Sequence, residues 1–327
     1  MDNPARDFFI NLSENKLVNS AAKRWGLKLG AERVVAGYTI EEMIETIKEL
    51  NNKGISCTID NLGEFVFEKS EAIEAKNQIL QVIEAISTHQ VDAHVSLKPS
   101  QLGLDIAYDF TYANLEEIAQ LANKYDIFIN IDMEGHNHLQ PSFDLLTDLH
   151  KKYKNIGTVI QAYFYRAEED LARLTDYRLR IVKGAYKEAP EVAFQEKEQI
   201  DANYIKLVEW NLLNGHYTSI GTHDHHIINH IKNFVSENNI SKDKFEFQML
   251  YGFREDLLIS LRQEGYACTS YVPFGKDWFG YFMRRLAERP QNINLLIKQV
   301  FNKRTNTIIG LGIGTLVLAK LIKNKKK

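Results

Sequence analysis

Short runs of β-branched and aromatic residues alternate along this chain with longer stretches in which apolar residues recur at helical spacing. Residues 114–125, NLEEIAQLANKY, show the helical pattern, with aliphatic residues on one face and charged residues on the other. The strand-like runs recur about every 30 residues, the length of one βαβ unit. They are ISCTID (55–60), DAHVSLK (92–98), DIFINID (126–132), GTVIQAY (157–163), LRIVKG (179–184), HYTSIGT (216–222), KFEFQML (244–250) and YACTSYV (266–272).

Strands that alternate with helices predict parallel pairing, and eight such units predict an α/β fold, a closed (β/α)8 TIM-like barrel. No GxGxxG sequence occurs early in the chain, so nothing favours a dinucleotide-binding Rossmann domain. The first 50 residues look helical, and no linker divides the chain. We therefore expect N-terminal helices over residues 1–50, one barrel over 51–300, and a hydrophobic and basic tail over 301–327.

Alternation within the strands predicts which side chains face the barrel interior. The three isoleucines of DIFINID share one face, and Asp132 lies on the other; Lys98 ends the polar face of DAHVSLK. Helices cover the outside of a barrel, so the polar faces should point inward. We expect Lys98 and Asp132 at the carboxyl ends of neighbouring strands, where barrel enzymes place their active sites. Arg180 alternates in the same way, and Tyr271 lies near the end of the last strand. A buried structural ion pair is the alternative for Lys98 and Asp132.

Composition narrows the class of protein. The chain of 327 residues is 44% apolar and 25% charged, as in ordinary globular proteins. A formal net charge of -3 gives no general nucleic-acid footprint. Two cysteines, Cys57 and Cys268, cannot form a disulfide framework, which favours a reducing compartment and a role for both as core thiols. The first residues lack the apolar segment of a secretory signal.

A helix is predicted directly after the eighth strand, between an N-cap at Asp277 and Pro290. Tyr281, Arg284 and Arg285 fall at i, i+3 and i+4, on one face of this helix. Two adjacent guanidinium groups can bind a carboxylate with paired hydrogen bonds. A solvated helix surface is the alternative for the same two arginines.

Six segments carry a family signature. They are IQAY (160–163), RIVKGAY (180–186), GTHD (221–224), FEFQMLYG (245–252), YVPFG (271–275) and YFMRRLAER (281–289). In this order and on these strands they resemble the flavin-dependent proline dehydrogenases, in their short monofunctional bacterial form. The resemblance extends over nearly the whole barrel. It implies noncovalently bound FAD, oxidation of L-proline to 1-pyrroline-5-carboxylate, and transfer of the electrons to the quinone pool. That reaction is the first step of proline catabolism to glutamate.

The resemblance also implies roles for individual residues. Lys98, Arg284 and Arg285 would bind the proline carboxylate, and Asp132 would form an ion pair with Arg285. Arg180 would lie beside the reactive nitrogen of the flavin. The residues expected to be catalytic are Asp132, Arg180 and Tyr271. Those expected to pack around the proline ring are Tyr186, Tyr271 and Tyr281. Those expected to contact FAD elsewhere are Met133 (through its backbone), Gln161, Lys183, Gly184, Ala185, Thr222, His223 and Gln248.

The residue types suit this chemistry. Hydride leaves the carbon next to the ring nitrogen, so the substrate amine must be neutral. Clustered cations at Lys98, Arg180, Arg284 and Arg285 are expected to lower the pKa of that amine. The flavin carries the redox step, and the protein supplies orientation and electrostatics.

Two other classes of protein fit parts of the sequence. The loops EGHNHLQPS (134–142) and HDHH (223–226) are rich in histidine, which allows a barrel metallohydrolase. Its metal ligands would be His136, His138, His223, His225 and Asp132. A non-enzymatic scaffold whose tail docks a partner is a third interpretation, but it does not explain polar residues at the strand ends.

The C-terminal tail predicts membrane contact. Residues 307–322 form a mainly apolar run in which Lys320 is the only charged residue, with NKR before them and KNKKK after them. Gly310 and Gly314 form a GxxxG spacing, and the basic flanks suit an anionic lipid surface. We expect a cytoplasmic enzyme that is peripheral to, or tail-anchored at, the inner face of the cell membrane. A terminal helix that covers the bottom of the barrel is the alternative.

Overall fold

The computed structural model describes residues 34–63 and 66–288, with side chains as far as residue 283. The chain falls into two compact units. Val34–Lys276 contains all eight strands, and the last described helix belongs to the other unit. The helices expected before residue 34 and the tail expected over 301–327 lie outside the described residues.

Eight parallel strands close into a barrel in sequence order, with β1 paired to both β2 and β8. They are β1 Ser56–Asn61, β2 Ala93–Leu97, β3 Ile129–Ile131, β4 Ile156–Gln161, β5 Arg178–Val182, β6 Tyr217–Gly221, β7 Phe245–Leu250 and β8 Ala267–Phe274. The predicted (β/α)8 barrel is confirmed. β3 is shorter than predicted because Asp126 adopts a left-handed φ of 55°, which belongs to a turn. β8 is longer, because Phe274 still pairs with Asn61.

Helices precede the first strand and connect the others. They are α1 Ile40–Asn51, α2 Lys69–His89, α3 Tyr108–Lys124, α4 His136–His150, α5 Ala167–Arg173, α6 Lys197–Asn214, α7 His225–Glu237, α8 Glu255–Gln263 and α9 Trp278–Glu288. A 3-10 turn, Pro99–Leu102, follows β2. α1 begins at a capping box, in which Thr39 and Glu42 accept hydrogen bonds from each other's backbone N–H.

The strands divide their side chains as alternation predicts. The aliphatic residues Val95 and Ile129 belong to the buried apolar cluster that also contains Ile118 of α3. Cys57 and Cys268 belong to the same cluster and form no disulfide. Burial raises the pKa of both thiols, which suits core residues.

Charged and aromatic side chains fill the barrel interior near the amino-terminal ends of the strands, in a group that we call the lower layer. Its members are His94, Phe128, Arg178, Tyr217 and Glu246. The Arg178 guanidinium lies 4.6 Å from the centroids of both aromatic rings and donates to Glu246 Oε1 at 2.6 Å. The His94 ring packs edge-on against Phe128, with 5.4 Å between centroids. Burial, and then the charge of Arg178, lower the pKa of His94 to about 3.

α9 starts immediately after Asp277, where the N-cap was predicted. Within it the Trp278 ring packs against Phe282, with centroids 6.1 Å apart. Among the described residues, no helix is long and apolar enough to cross a membrane. The apolar tail lies beyond them.

Candidate active site

Three charged side chains meet at the carboxyl ends of β1, β2 and β3. Lys98 Nζ donates to both carboxylate oxygens of Asp60 at 2.9 Å and lies 3.7 Å from Asp132 Oδ2. All three side chains are buried. The structure therefore brings Lys98 and Asp132 together inside the barrel, and it adds Asp60, which the motifs did not indicate.

The phenol of Tyr271, on β8, lies between the two carboxylates. Its hydroxyl is 2.7 Å from Asp60 Oδ2 and 3.0 Å from Asp132 Oδ2. Burial, and then the charges of Asp132 and Asp60, raise the pKa of Tyr271 well above its usual value. The phenol therefore stays protonated, and its single proton serves one carboxylate at a time.

Arg180 of β5 approaches Asp132 from the opposite side. It donates to Asp132 Oδ1, to Ser96 Oγ at 2.7 Å and to Gln248 Oε1 at 3.4 Å. Burial alone raises the pKa of Asp132, but Arg180 and Lys98 outweigh it and hold that pKa below its usual value. Asp132 is thus an anion with Arg180 as its direct partner.

This pairing revises the expected electrostatics. Of the four cations expected to act together, Lys98 and Arg180 each face a carboxylate, Asp60 and Asp132 respectively. Two positive and two negative groups leave this cluster without net charge. These two cations therefore do not supply the excess positive charge that was expected to lower the pKa of a substrate amine.

Gln248 connects the site to the lower layer. Its Nε2 donates to Glu246 Oε1 at 2.7 Å, and its Oε1 accepts from Arg180. Burial raises the pKa of Glu246, but the charge of Arg178 and the hydrogen bonds from Ser219 and Thr269 together outweigh burial and hold that pKa at about 2. An ionised carboxylate only accepts hydrogen bonds, so it directs the amide nitrogen of Gln248 downward and its oxygen toward Arg180.

The residues expected near FAD on β3 and β4 are buried at the same barrel end. Gln161 ends β4, and its Nε2 donates to the carbonyl of Glu134 at 2.8 Å. Met133 precedes that residue and is buried. The Glu134 carboxylate in turn accepts from the Ser100 N–H at 2.9 Å, which joins the loops after β2 and β3.

Lys183, Gly184 and Ala185 follow β5 and are partly exposed. Lys183 Nζ forms an ion pair with Asp201 and lies 3.8 Å from an oxygen of Asp224. Gly184 has a φ of 119°, and a Cβ at this position would overlap the Tyr163 ring. The backbone here requires glycine.

Thr222 and His223 follow β6. Thr222 Oγ1 accepts from the Asp224 N–H at 3.1 Å, and His223 Nε2 accepts from the Leu250 N–H at 3.0 Å. The latter bond places the proton of a neutral His223 on Nδ1. Both side chains therefore lie in a defined turn at the mouth of the barrel.

The remaining predicted contacts, Tyr186, Tyr281, Arg284 and Arg285, follow β5 and β8 in the sequence. Tyr186 is half-buried in the loop after β5, and Glu188 of that loop accepts from the His136 N–H at 2.8 Å. Tyr281 lies on α9, in the second unit. The side chains of Arg284 and Arg285 lie outside the described residues, so the arginine clamp and the pair of Asp132 with Arg285 stay predictions.

The histidines of the alternative metal site do not converge. His138 pairs with Asp105 at 2.8 Å, the His225 ring stacks on His226, and His223 uses Nε2 for the Leu250 backbone. Within the described part of the chain, no group of three or more His, Cys, Asp or Glu side chains has metal-binding geometry. The metallohydrolase interpretation gains no support from this arrangement.

Two site residues could have been found from the sequence. In ISCTID, Cys57 shares the outward face with two isoleucines, which places Asp60 on the inward face at the strand end. In FEFQ, Glu246 and Gln248 alternate with phenylalanines in the same way. The same alternation that selected Lys98 therefore selects both acids.

The fold and the site define a (β/α)8 barrel enzyme with a charged cluster at the carboxyl ends of the strands, the end at which barrel enzymes place their active sites. A family model described as proline dehydrogenase matches residues 43–296. Proline dehydrogenase 2 of Bacillus subtilis (strain 168) is 46% identical over 300 residues, which cover 91% of this chain and 99% of the relative. The proline dehydrogenase of Deinococcus radiodurans is 38% identical over 307 residues, which cover 91% of this chain and 98% of the relative.

The chain therefore belongs to the proline dehydrogenase family, and it catalyses the first step of proline catabolism. A solved structure agrees in fold: proline utilization A from Bdellovibrio bacteriovorus, inactivated by N-propargylglycine, superposes with a TM-score of 0.74. At 24% identity the match covers 86% of this chain and 34% of the other, and it supports the fold alone.

Proposed function

We propose that this enzyme oxidises L-proline to 1-pyrroline-5-carboxylate with FAD as its cofactor and a membrane quinone as the final electron acceptor. The observation that carries the proposal is the cluster of four buried charged side chains with the half-buried Tyr271 at the carboxyl ends of the strands. The charged members are Asp60, Lys98, Asp132 and Arg180. It combines a cation for a carboxylate, an aromatic wall and a positive group for a flavin in one interior site.

In this proposal the substrate binds through its carboxylate. Lys98, with Arg284 and Arg285, binds the carboxylate oxygens, and Tyr271 forms one wall for the ring together with Tyr186 and Tyr281. The Tyr271 hydroxyl donates to Asp60 or Asp132, which favours one orientation of this wall. An aromatic wall and a fixed carboxylate leave the ring carbon next to nitrogen at a constant position.

The described residues fit FAD. Arg180 places a buried positive charge in the barrel interior, and Lys183 places a second one at its mouth, where a pyrophosphate group would be neutralised. Gly184, which follows Lys183, has a positive φ, and the Tyr163 ring fills the space that a Cβ would need, so only glycine keeps the backbone beside Lys183 in this conformation. Met133, Gln161, Ala185, Thr222, His223 and Gln248 are the further proposed contacts. When bound, FAD supplies the hydride acceptor.

Absorbance spectroscopy tests the proposal. Purified protein reconstituted with FAD should show flavin bands that L-proline bleaches under anaerobic conditions, and added quinone should restore them. The Lys98→Met variant should require a much higher proline concentration for the same bleaching of the flavin, because it lacks the ammonium group that binds the proline carboxylate. Protein that binds no flavin, or flavin that proline does not bleach, would overturn the proposal. Metal content measured in parallel tests the metallohydrolase alternative.

We further propose that residues 301–327 form a separate tail that contacts an anionic membrane from the cytoplasmic side, with residues 1–50 as N-terminal helices. The supporting pattern is the apolar run between basic flanks. Removal of residues 305–327 should keep proline oxidation with a dissolved dye but reduce sedimentation with anionic vesicles at low salt. Equal sedimentation of both proteins contradicts membrane contact. A melting temperature lowered by many degrees would instead indicate a helix that covers the barrel bottom.

A further inference from the structure

Asp60 is the buried acid in the site that has no role in the function proposed above. It is the penultimate residue of β1, and 1% of its surface is exposed. Both of its oxygens accept from Lys98 Nζ at 2.9 Å, and Oδ2 also lies 2.7 Å from the Tyr271 hydroxyl. One carboxylate thus contacts two of the side chains expected to contact proline.

The distances separate the roles of the two acids in the cluster. Lys98 Nζ is within hydrogen-bond distance of Asp60, whereas its 3.7 Å distance to Asp132 is an ion-pair contact only. Asp132 already accepts from Arg180 and Ser96. Asp60 is therefore the acid that determines the position of the Lys98 ammonium group.

We propose that Asp60 is a positioning residue for substrate. It keeps the Lys98 ammonium group beyond hydrogen-bond distance of Asp132, and it shares with Asp132 the task of holding the Tyr271 hydroxyl, so that both side chains remain available to proline. The inference rests on the proposed function. A lysine side chain is long and flexible, so its ammonium group needs a fixed partner to stay in one place. Without the Asp60 charge, Lys98 moves onto Asp132, where it competes with Arg180 and no longer reaches the substrate carboxylate.

The charge of Asp60 has a second consequence. The described charged and titratable groups around Asp60 are Lys98, which follows β2, Tyr271 of β8 and Asp132, which follows β3; Arg180 of β5 contacts Asp132 in turn. Their net charge is zero with Asp60 ionised. Loss of that charge leaves the cluster positive, which disfavours a protonated substrate amine and lowers the amine pKa in the complex.

The Asp60→Asn variant tests both consequences. This variant should retain FAD and raise KM for proline about tenfold or more. It should also weaken, by a similar factor, the binding of a proline analogue in which oxygen replaces the ring nitrogen. In anaerobic flavin reduction at saturating proline, which reports the bound state, the pH midpoint should fall by about 1 unit. Asp170→Asn is the matched control, since it removes another buried carboxylate from an ion pair, formed by Asp170 of α5 with Arg166, the residue before that helix.

A double-mutant cycle separates positioning from general loss of structure. In a Lys98→Met background, Asp60→Asn should add little to the loss of ring-carboxylate affinity. Asp60→Glu keeps the negative charge but moves it, so this variant should raise KM for proline without shifting the pH midpoint. If Asp60→Asn does not fold, Asp60→Glu takes its place in the test. Three results would each overturn the role of Asp60. The first is an unchanged KM and pH midpoint in Asp60→Asn, and the second is additive effects in the double-mutant cycle. The third is a loss of FAD in which the flavin that remains is reduced at the normal rate. If proline does not bleach the flavin of the unmodified enzyme, the proposed function is overturned as well.

Discussion

The lower layer predicts that the stability of this enzyme depends on pH through one histidine, His94. This side chain is fully enclosed between the Phe128 ring and the charged pair of Arg178 and Glu246. Its pKa is about 3 in the folded protein, against 6.5 for an unperturbed histidine. The unfolded chain therefore binds a proton at His94 between these two pH values, and the folded chain does not.

The size of the effect follows from the two pKa values. The folded state has its full stability above pH 6.5 and loses stability as pH falls toward 3, by about 5 kcal/mol over the whole interval at about 1.36 kcal/mol per pKa unit. Between pH 7 and pH 5 the His94 contribution is about 2 kcal/mol. His94→Gln removes the titrating group, so the loss of unfolding free energy between pH 7 and pH 5 should be about 2 kcal/mol smaller than in the unmodified enzyme.

Reversible urea unfolding at the two pH values, with the same FAD concentration throughout, measures this difference. Any packing defect from His94→Gln is present at both pH values and cancels. His216→Gln is the matched control, because it makes the same substitution at an exposed histidine. If His94→Gln keeps the full pH dependence within about 0.5 kcal/mol, the burial argument is refuted.

Three further substitutions test the proposed site. Arg180→Met should lower the flavin reduction potential by about 30 mV, which is a tenfold change in a two-electron equilibrium, because a positive charge is lost. Spectroelectrochemistry measures this potential, and an unchanged value would contradict the role of Arg180. Gly184→Ala should weaken FAD binding at least tenfold, as measured by fluorescence titration. The positive φ at this position costs a residue with a side chain about 1–3 kcal/mol, and the alanine Cβ would overlap the Tyr163 ring. The unmodified enzyme should oxidise proline with a higher kcat/KM than 4-hydroxyproline, because two carboxylates hold the bulky Tyr271 phenol in place where an added ring hydroxyl would clash. Tyr271→Ser should bring the two kcat/KM values closer together, and an unchanged ratio would exclude steric selection by Tyr271.

Several features of this protein follow from the sequence alone. A period of two within short runs, repeated eight times with helices between, determines a parallel barrel, because only one face of each strand is covered by helices. The same period places Lys98, Asp132 and Arg180 inside. It also contains the information for Asp60, since the apolar positions of the first strand assign it to the inward face.

Which charged groups pair was decided only by the tertiary structure. Alternation gives the face of a side chain but not its height in the barrel, which depends on the stagger between strands. That stagger brings Tyr271 next to Asp60, 211 positions earlier in the chain, and pairs Arg180 with Asp132. Lys98 and Arg180 thereby become members of a neutral cluster. Charge balance is a sum over neighbours, and in a barrel the neighbours come from strands that are far apart in the sequence.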